Sequence, residues 1–149
     1  MIALEPRSKQ TARVEPASSA KPNFGLKPLV LVAEDHEDSR LLLKTLLEMW
    51  GYRVAEAANG AEAISIAEQI CPDLILMDVS LPVVDGIAAA RRIHDFTNLA
   101  RLPIVFTSGH AQTKLKEAAL EKDAVDYLVK PIDFEKLKTA LSKHIQQMV

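Results

Sequence analysis

The sequence predicts an α/β domain, a doubly wound sheet of five parallel strands covered by helices on both faces. Three observations predict it. Apolar runs recur at "LVLVA" (29–33), "DLILM" (73–77) and "PIVFTS" (103–108), too continuous for strands with one wet face. Stretches with helical spacing of apolar residues separate them. Each connection between strands therefore carries a helix, and a crossover of that kind joins parallel neighbours.

The elements follow in order. "LVLVA" (29–33) reads as a strand buried on both faces. "RLLLKTLLEMWGY" reads as a helix with Leu42, Leu46, Met49 and Trp50 on one face and Gly51 as its stop. "YRVAEA" (52–57) carries Arg53 and Glu56 and belongs at an edge of the sheet. "NGAEAISIAEQICP" is a helix opened by Asn59-Gly60 and closed before Pro72, and "DLILM" is the second greasy strand. A third helix spans 85–96, and "PIVFTS" is a strand. "TKLKEAALEKD" (113–123) is a fourth helix, "VDYLV" (125–129) the fifth strand. In the last helix Phe134, Leu137, Leu141, Ile145 and Met148 recur three and four apart. With the weak strand outermost, the strand order is 2-1-3-4-5, the flavodoxin-like (βα)5 pattern.

Composition narrows the function classes. At 149 residues the chain suffices for one domain with a real core. A formal net charge of −2 gives no basic footprint for nucleic acid, and no apolar run is long enough to span a membrane. "MIALEPRSKQ" has no secretory apolar core. Cys71 is the sole cysteine, which excludes an internal disulfide and fits a reducing, cytoplasmic setting. Residues 1–27 read as a flexible basic tail, with Arg7, Lys9, Arg13, Lys21 and Lys27 against Glu5 and Glu15 and four prolines by position 28.

The chemistry gathers where the strands end. Glu34 and Asp35 follow the first strand, Asp78 the third, Thr107 and Ser108 close the fourth, and Lys130-Pro131 follow the fifth. Strand C-termini in a parallel sheet share one edge, and ligands bind there where the strand order reverses. Carboxylates crowded together repel and call for a cation. With oxygen donors and no cysteine or histidine pair, the natural ion is Mg²⁺. A carboxylate beside Mg²⁺, an ammonium and a hydroxyl has the parts needed to take up a phosphoryl group.

These motifs, "AED" (Glu34, Asp35), "MDVSLPVVDG" (Asp78, Pro82, Gly86), "FTS" (Thr107) and "VKP" (Lys130, Pro131), resemble those of the receiver domain of bacterial two-component response regulators. The resemblance covers residues 28–149. It implies that Asp78 is the phosphoacceptor, with Lys130 and Thr107 completing the catalytic set. It implies Mg²⁺ held by Glu34, Asp35, Asp78 and the backbone carbonyl of Ser80. It also implies a cis peptide before Pro131, and a switch in which the Thr107 hydroxyl moves onto the phosphoryl group and Tyr127 turns inward. An ordinary half-buried edge-strand aromatic is the plainer reading of Tyr127. His36 beside the acid pair would line the rim, and His94, His110 and His144 would lie at the surface. The lysines of the last two helices would face solvent or an acidic partner.

The partners implied are a histidine kinase or histidine phosphotransfer protein and an unidentified downstream protein, with no nucleic acid or membrane. The surface of the fourth helix, fifth strand and fifth helix is where a homodimer would form. Nothing follows the fifth helix, so the expectation is a stand-alone module without a DNA-binding output domain, not an enzyme beyond its own phosphorylation and dephosphorylation. Two alternatives stay open. An aspartate-nucleophile phosphohydrolase would want an acid where Ser80 stands, and a receiver-like binding module would have lost phosphorylation.

Overall fold

The computed structural model of the chain describes residues 26–109 and 125–146. The elements run β1 (Leu29–Ala33), α1 (Glu37–Met49), β2 (Arg53–Ala57), α2 (Gly60–Ile70), β3 (Leu74–Asp78), α3 (Gly86–His94), a 3-10 turn (Thr97–Leu99), β4 (Ile104–Ser108), β5 (Asp126–Val129) and a last helix (Phe134–Gln146). Residues 1–25 of the expected tail, the helix at 113–123, His110 and Met148 lie outside the described residues.

The sheet order is β2-β1-β3-β4-β5, every pair parallel, with the charged strand at an edge as its residues predict. Alternation along the strands sorts the interior into two layers. Leu31, Ile75, Met77, Phe106 and Tyr127 pack with Ala63, Ala67, Ala89 and Ile93 of α2 and α3. Val30, Val32, Leu74, Leu76, Val105 and Leu128 pack on the other face with Leu43, Leu47, Leu137, Leu141 and Ile145 of α1 and the last helix. Burying one such side chain contributes about 1.5–3 kcal/mol, and β1, β3 and β4 bury nearly all of theirs.

The sequence misplaces one helix face. In α1 the buried residues are Leu43 and Leu47, while Leu42 and Met49 are 50% and 75% exposed. Leucines at 41, 42, 43, 46 and 47 put apolar groups on more than one face, so periodicity alone leaves the phase undetermined. In the last helix Leu137, Leu141 and Ile145 are buried as expected, but Phe134 is largely exposed. Lys138 is exposed, and its ammonium lies 5.7 Å from the centroid of the Trp50 ring, tying the last helix to the end of α1. His94 and His144 are half-buried rather than on the surface. The first lies 2.9 Å from the Leu102 carbonyl and the second 3.6 Å from an Asp126 carboxylate oxygen.

The helix starts carry their own signals. Asn59 accepts from the Glu62 N–H while the Glu62 carboxylate accepts from the Ala58 N–H, a reciprocal arrangement that satisfies otherwise orphan donors. Asp85 likewise accepts from the Ala88 N–H and opens α3.

Candidate functional site

The polar strand ends converge because of register. Asp78 pairs with Thr107, and Thr107 with Leu128. Counting by twos from Val32, Leu76, Val105 and Leu128 puts Glu34, Asp78, Thr107 and Lys130 on one side, the side of α1 and the last helix. Tyr127 has the opposite parity. It is 7% exposed, in the apolar layer with Phe106, so it is buried rather than half-buried.

Lys130 joins the set. Its ammonium donates to Glu34 Oε1 at 2.8 Å and to Asp78 Oδ2 at 2.9 Å, spanning residues 96 and 52 positions apart in the chain. Both acids are buried, at 1% and 4% exposure, and Thr107 at 2%. Burial pushes the Lys130 ammonium down, but its hydrogen bonds to Glu34 and Asp78 and their charges outweigh that and lift its pKa above the usual lysine value. The Lys130–Pro131 peptide is cis, as the resemblance implies.

Glu34 is engaged at every polar group. Its second carboxylate oxygen accepts from the His36 N–H at 3.0 Å and lies 3.2 Å from His36 Nδ1. Its N–H donates to the Ala57 carbonyl, and its own carbonyl accepts from Arg40 at 2.9 Å. Asp35 stands at the opening, about a third exposed, 3.5 Å from His36 Nδ1.

The loop after Asp78 is held by close packing. The Ser80 N–H donates to Asp78 Oδ1 at 3.0 Å, the Val79 N–H to the Thr107 carbonyl and the Gly86 N–H to the Val79 carbonyl. A Cβ on Gly86 would sit 2.2 Å from the Asp78 carbonyl oxygen, and one on Gly60 1.7 Å from that of Val84. Both glycines are there so that α3 and α2 can press their first turns against the loop. Val83, at its tip, has φ of 71°, a strained conformation for a β-branched residue.

The donor set suits a hard divalent cation. Candidate ligand atoms of Glu34, Asp35 and His36 lie within 4.8 Å of one another, and Asp78 meets this group through the Lys130 ammonium. Carboxylate oxygens dominate, which favours Mg²⁺. Chain order places His36 beside the acid pair, but not the bonds of its N–H and ring to the Glu34 carboxylate. Arg40 was missed as well, its only signal being a cation one turn into the helix that follows the acid pair.

Residues 30–142 match the model of the response regulator receiver domain. The chain belongs to this family. Among receiver relatives, the "Transcriptional regulatory protein ZraR" of Klebsiella oxytoca is 35% identical over 114 residues, 76% of this chain and 25% of that protein. An "Uncharacterized 14.6 kDa protein in sodA1 3'region" of Leptolyngbya boryana is 36% identical over 70% of this chain and 79% of its own length. The chain thus spans about a quarter of the length of the first of these curated relatives and most of the second. Of solved structures, the receiver domain of sensor histidine kinase PA1611 from Pseudomonas aeruginosa, with magnesium in its active-site cleft, has a TM-score of 0.75. It is 34% identical and covers 80% of this receiver chain and 98% of its own. The receiver domain of Francisella response regulator 1452 gives 0.77 at 26% identity, covering 83% and 100%. Receiver domains are signalling modules of two-component systems, accept a phosphoryl group and bind Mg²⁺. No helix among the described residues is long and apolar enough to cross a membrane.

Proposed function

We propose that this receiver accepts a phosphoryl group on Asp78 from the phosphohistidine of a histidine kinase or phosphotransfer protein, and that the modified form presents a changed surface to a protein target. The observation that carries the reading is the Lys130 ammonium shared between Glu34 and Asp78 at 2.8 and 2.9 Å. It supports one site assembled from three strand ends.

In the proposed step an Asp78 carboxylate oxygen forms the new P–O bond as the P–N bond to histidine breaks, and the leaving imidazole keeps the electron pair and takes a proton. Asp35, Asp78, the Ser80 carbonyl and Glu34 would hold Mg²⁺. When bound, the ion neutralises charge on the transferring group. Lys130 exchanges a carboxylate partner for a phosphoryl oxygen, a charge-assisted bond of at least equal strength. The buried Thr107 hydroxyl bonds a second oxygen, and this movement favours the inward packing of Tyr127 with Phe106. The phosphohydrolase alternative lacks its general acid, because Ser80 occupies that position.

Residues 28–149 form the receiver unit in this reading, residues 1–27 a basic extension, and the setting is cytoplasmic. Partners dock as proteins, and a homodimer would use the surface of β5 and the last helix. Incubation with a small-molecule phosphodonor and Mg²⁺, followed by intact mass, tests the reading. One added phosphate that requires Mg²⁺ is expected. No added phosphate would refute it.

A further inference from the structure

Arg40 of α1 makes two directed contacts that the proposed chemistry does not use. Its Nη1 donates to the backbone carbonyl of Glu34 at 2.9 Å, and its Nε donates to Glu56 Oε1 on β2 at 3.2 Å. The guanidinium is 17% exposed and its carboxylate partner 39%, so the pair is partly withdrawn from water. Glu56 sits opposite Val32 in the sheet, on the face that α1 covers. The backbone N–H of Arg40 also donates to the His36 carbonyl, closing the first turn of the helix. The loop of Glu34, Asp35 and His36 is thereby held from both ends: by the Ala57 carbonyl where it leaves β1, and by Arg40 where it enters α1.

We propose that Arg40, braced by Glu56, is a positioning residue that fixes the backbone of the acid pair so that Asp35 and Glu34 are pre-set for a divalent cation. This rests on the reading of the strand-end cluster as a Mg²⁺-dependent phosphoacceptor site. The contact goes to a carbonyl and not to either ligand carboxylate, so Arg40 acts through the main chain. A planar guanidinium suits the task because its rigid fork holds a carbonyl and a carboxylate in fixed directions from two different nitrogens, whereas a lysine ammonium is a single point charge on a flexible stem. Partners that orient metal ligands from outside typically govern affinity by about 10–100-fold.

The sign of the effect separates this role from a simple charge effect. Arg40 is a cation near an acidic cluster, so on Coulomb grounds its removal should tighten Mg²⁺ binding. Positioning predicts the opposite. The test measures Mg²⁺ affinity directly by calorimetry on the unphosphorylated protein, alongside the Mg²⁺ concentration for half-maximal phosphate uptake and the rate at saturating Mg²⁺. Arg40→Met is expected to weaken Mg²⁺ binding about tenfold, with the saturated rate within about twofold of wild type. Arg40→Lys recovers only part of the loss. The double variant Arg40→Met with Glu56→Gln, which preserves net charge, stays weak and provides a second fold-competent probe.

Unchanged or tighter Mg²⁺ binding in Arg40→Met and in the double variant would overturn the proposal. So would a lowered saturated rate with unaltered Mg²⁺ affinity, the pattern of a general structural defect. Wild-type protein that neither binds Mg²⁺ nor takes up phosphate would instead overturn the functional reading beneath it, and that result is read from the wild-type arm alone.

Discussion

Asp73 and Asp78 flank the same apolar run at opposite ends of β3, both acids, both buried, at 3% and 4% exposure. Their partners differ in kind. Asp73 accepts from the Leu29 N–H at 2.8 Å and returns its own N–H to the Leu29 carbonyl, so its main-chain and side-chain bonds tie the starts of two strands together. Asp78 accepts from the Ser80 N–H and from an ammonium contributed by a residue 52 positions away. The first acid is bound to a fixed backbone donor. The second shares a side-chain cation with another buried acid, and that cation can be redistributed when a new anion arrives. Burial alone does not distinguish the two carboxylates; a side-chain counter-charge shared with a second buried acid does.

The sharpest way to break the comparison is to neutralise each acid in turn. Asp78→Asn is expected to abolish phosphate uptake from a small-molecule donor, and Asp73→Asn to leave it within about threefold of wild type, both read by intact mass over time. Retained uptake in Asp78→Asn would erase the distinction.

Stability should divide the two acids the other way. Asp73→Ala strands the Leu29 N–H and should cost about 1–3 kcal/mol in chemical denaturation. Asp78→Ala removes one of two buried carboxylates competing for a single ammonium and should cost less than about 1 kcal/mol.

Lys130 brings pH into the contrast. Its folded-state pKa is raised above 10.5, so its contribution to stability is fully present below the unfolded-state value and is lost as pH rises through the folded one. The stability gap between wild type and Lys130→Met should therefore be flat from about neutral pH to about pH 10 and narrow above it. A gap that widens with pH would contradict the ion-pair account.

The smallest expected effect concerns the chain beside each acid. Val83 after Asp78 and Cys71 before Asp73 both have positive φ, 71° and 46°. Glycine should relieve more strain at the β-branched position, so Val83→Gly is expected to stabilise by about 0.5–1 kcal/mol and Cys71→Gly by less. Thermal melts of the two variants would rank them.

The same pair of acids shows what the sequence makes legible. "DLILMD" presents two equivalent-looking aspartates, and only strand polarity picks the second, because ligands gather at the carboxyl edge of a parallel sheet. Strand identity, order and the edge position of β2 follow from apolar continuity and from Arg53 and Glu56. What was not legible depends on tertiary phase. Five leucines in α1 fit more than one face, so Leu42 and Met49 were assigned inward and turn out exposed. Lys138 on Trp50 and Arg40 on the Glu34 carbonyl depend on how α1 packs against its neighbours, which no local pattern encodes. His36 could be placed near the rim by adjacency, but its bonds to Glu34 depend on the turn between β1 and α1.

The central claim is that one carboxylate among several in this cluster receives the phosphoryl group, and mapping the modified residue tests it most directly. Reduction of the phosphorylated protein with borohydride converts an aspartyl phosphate to homoserine, and peptide mass spectrometry then locates it. The account predicts the label at Asp78 alone. A label on Asp35 or at Asp73 would contradict it.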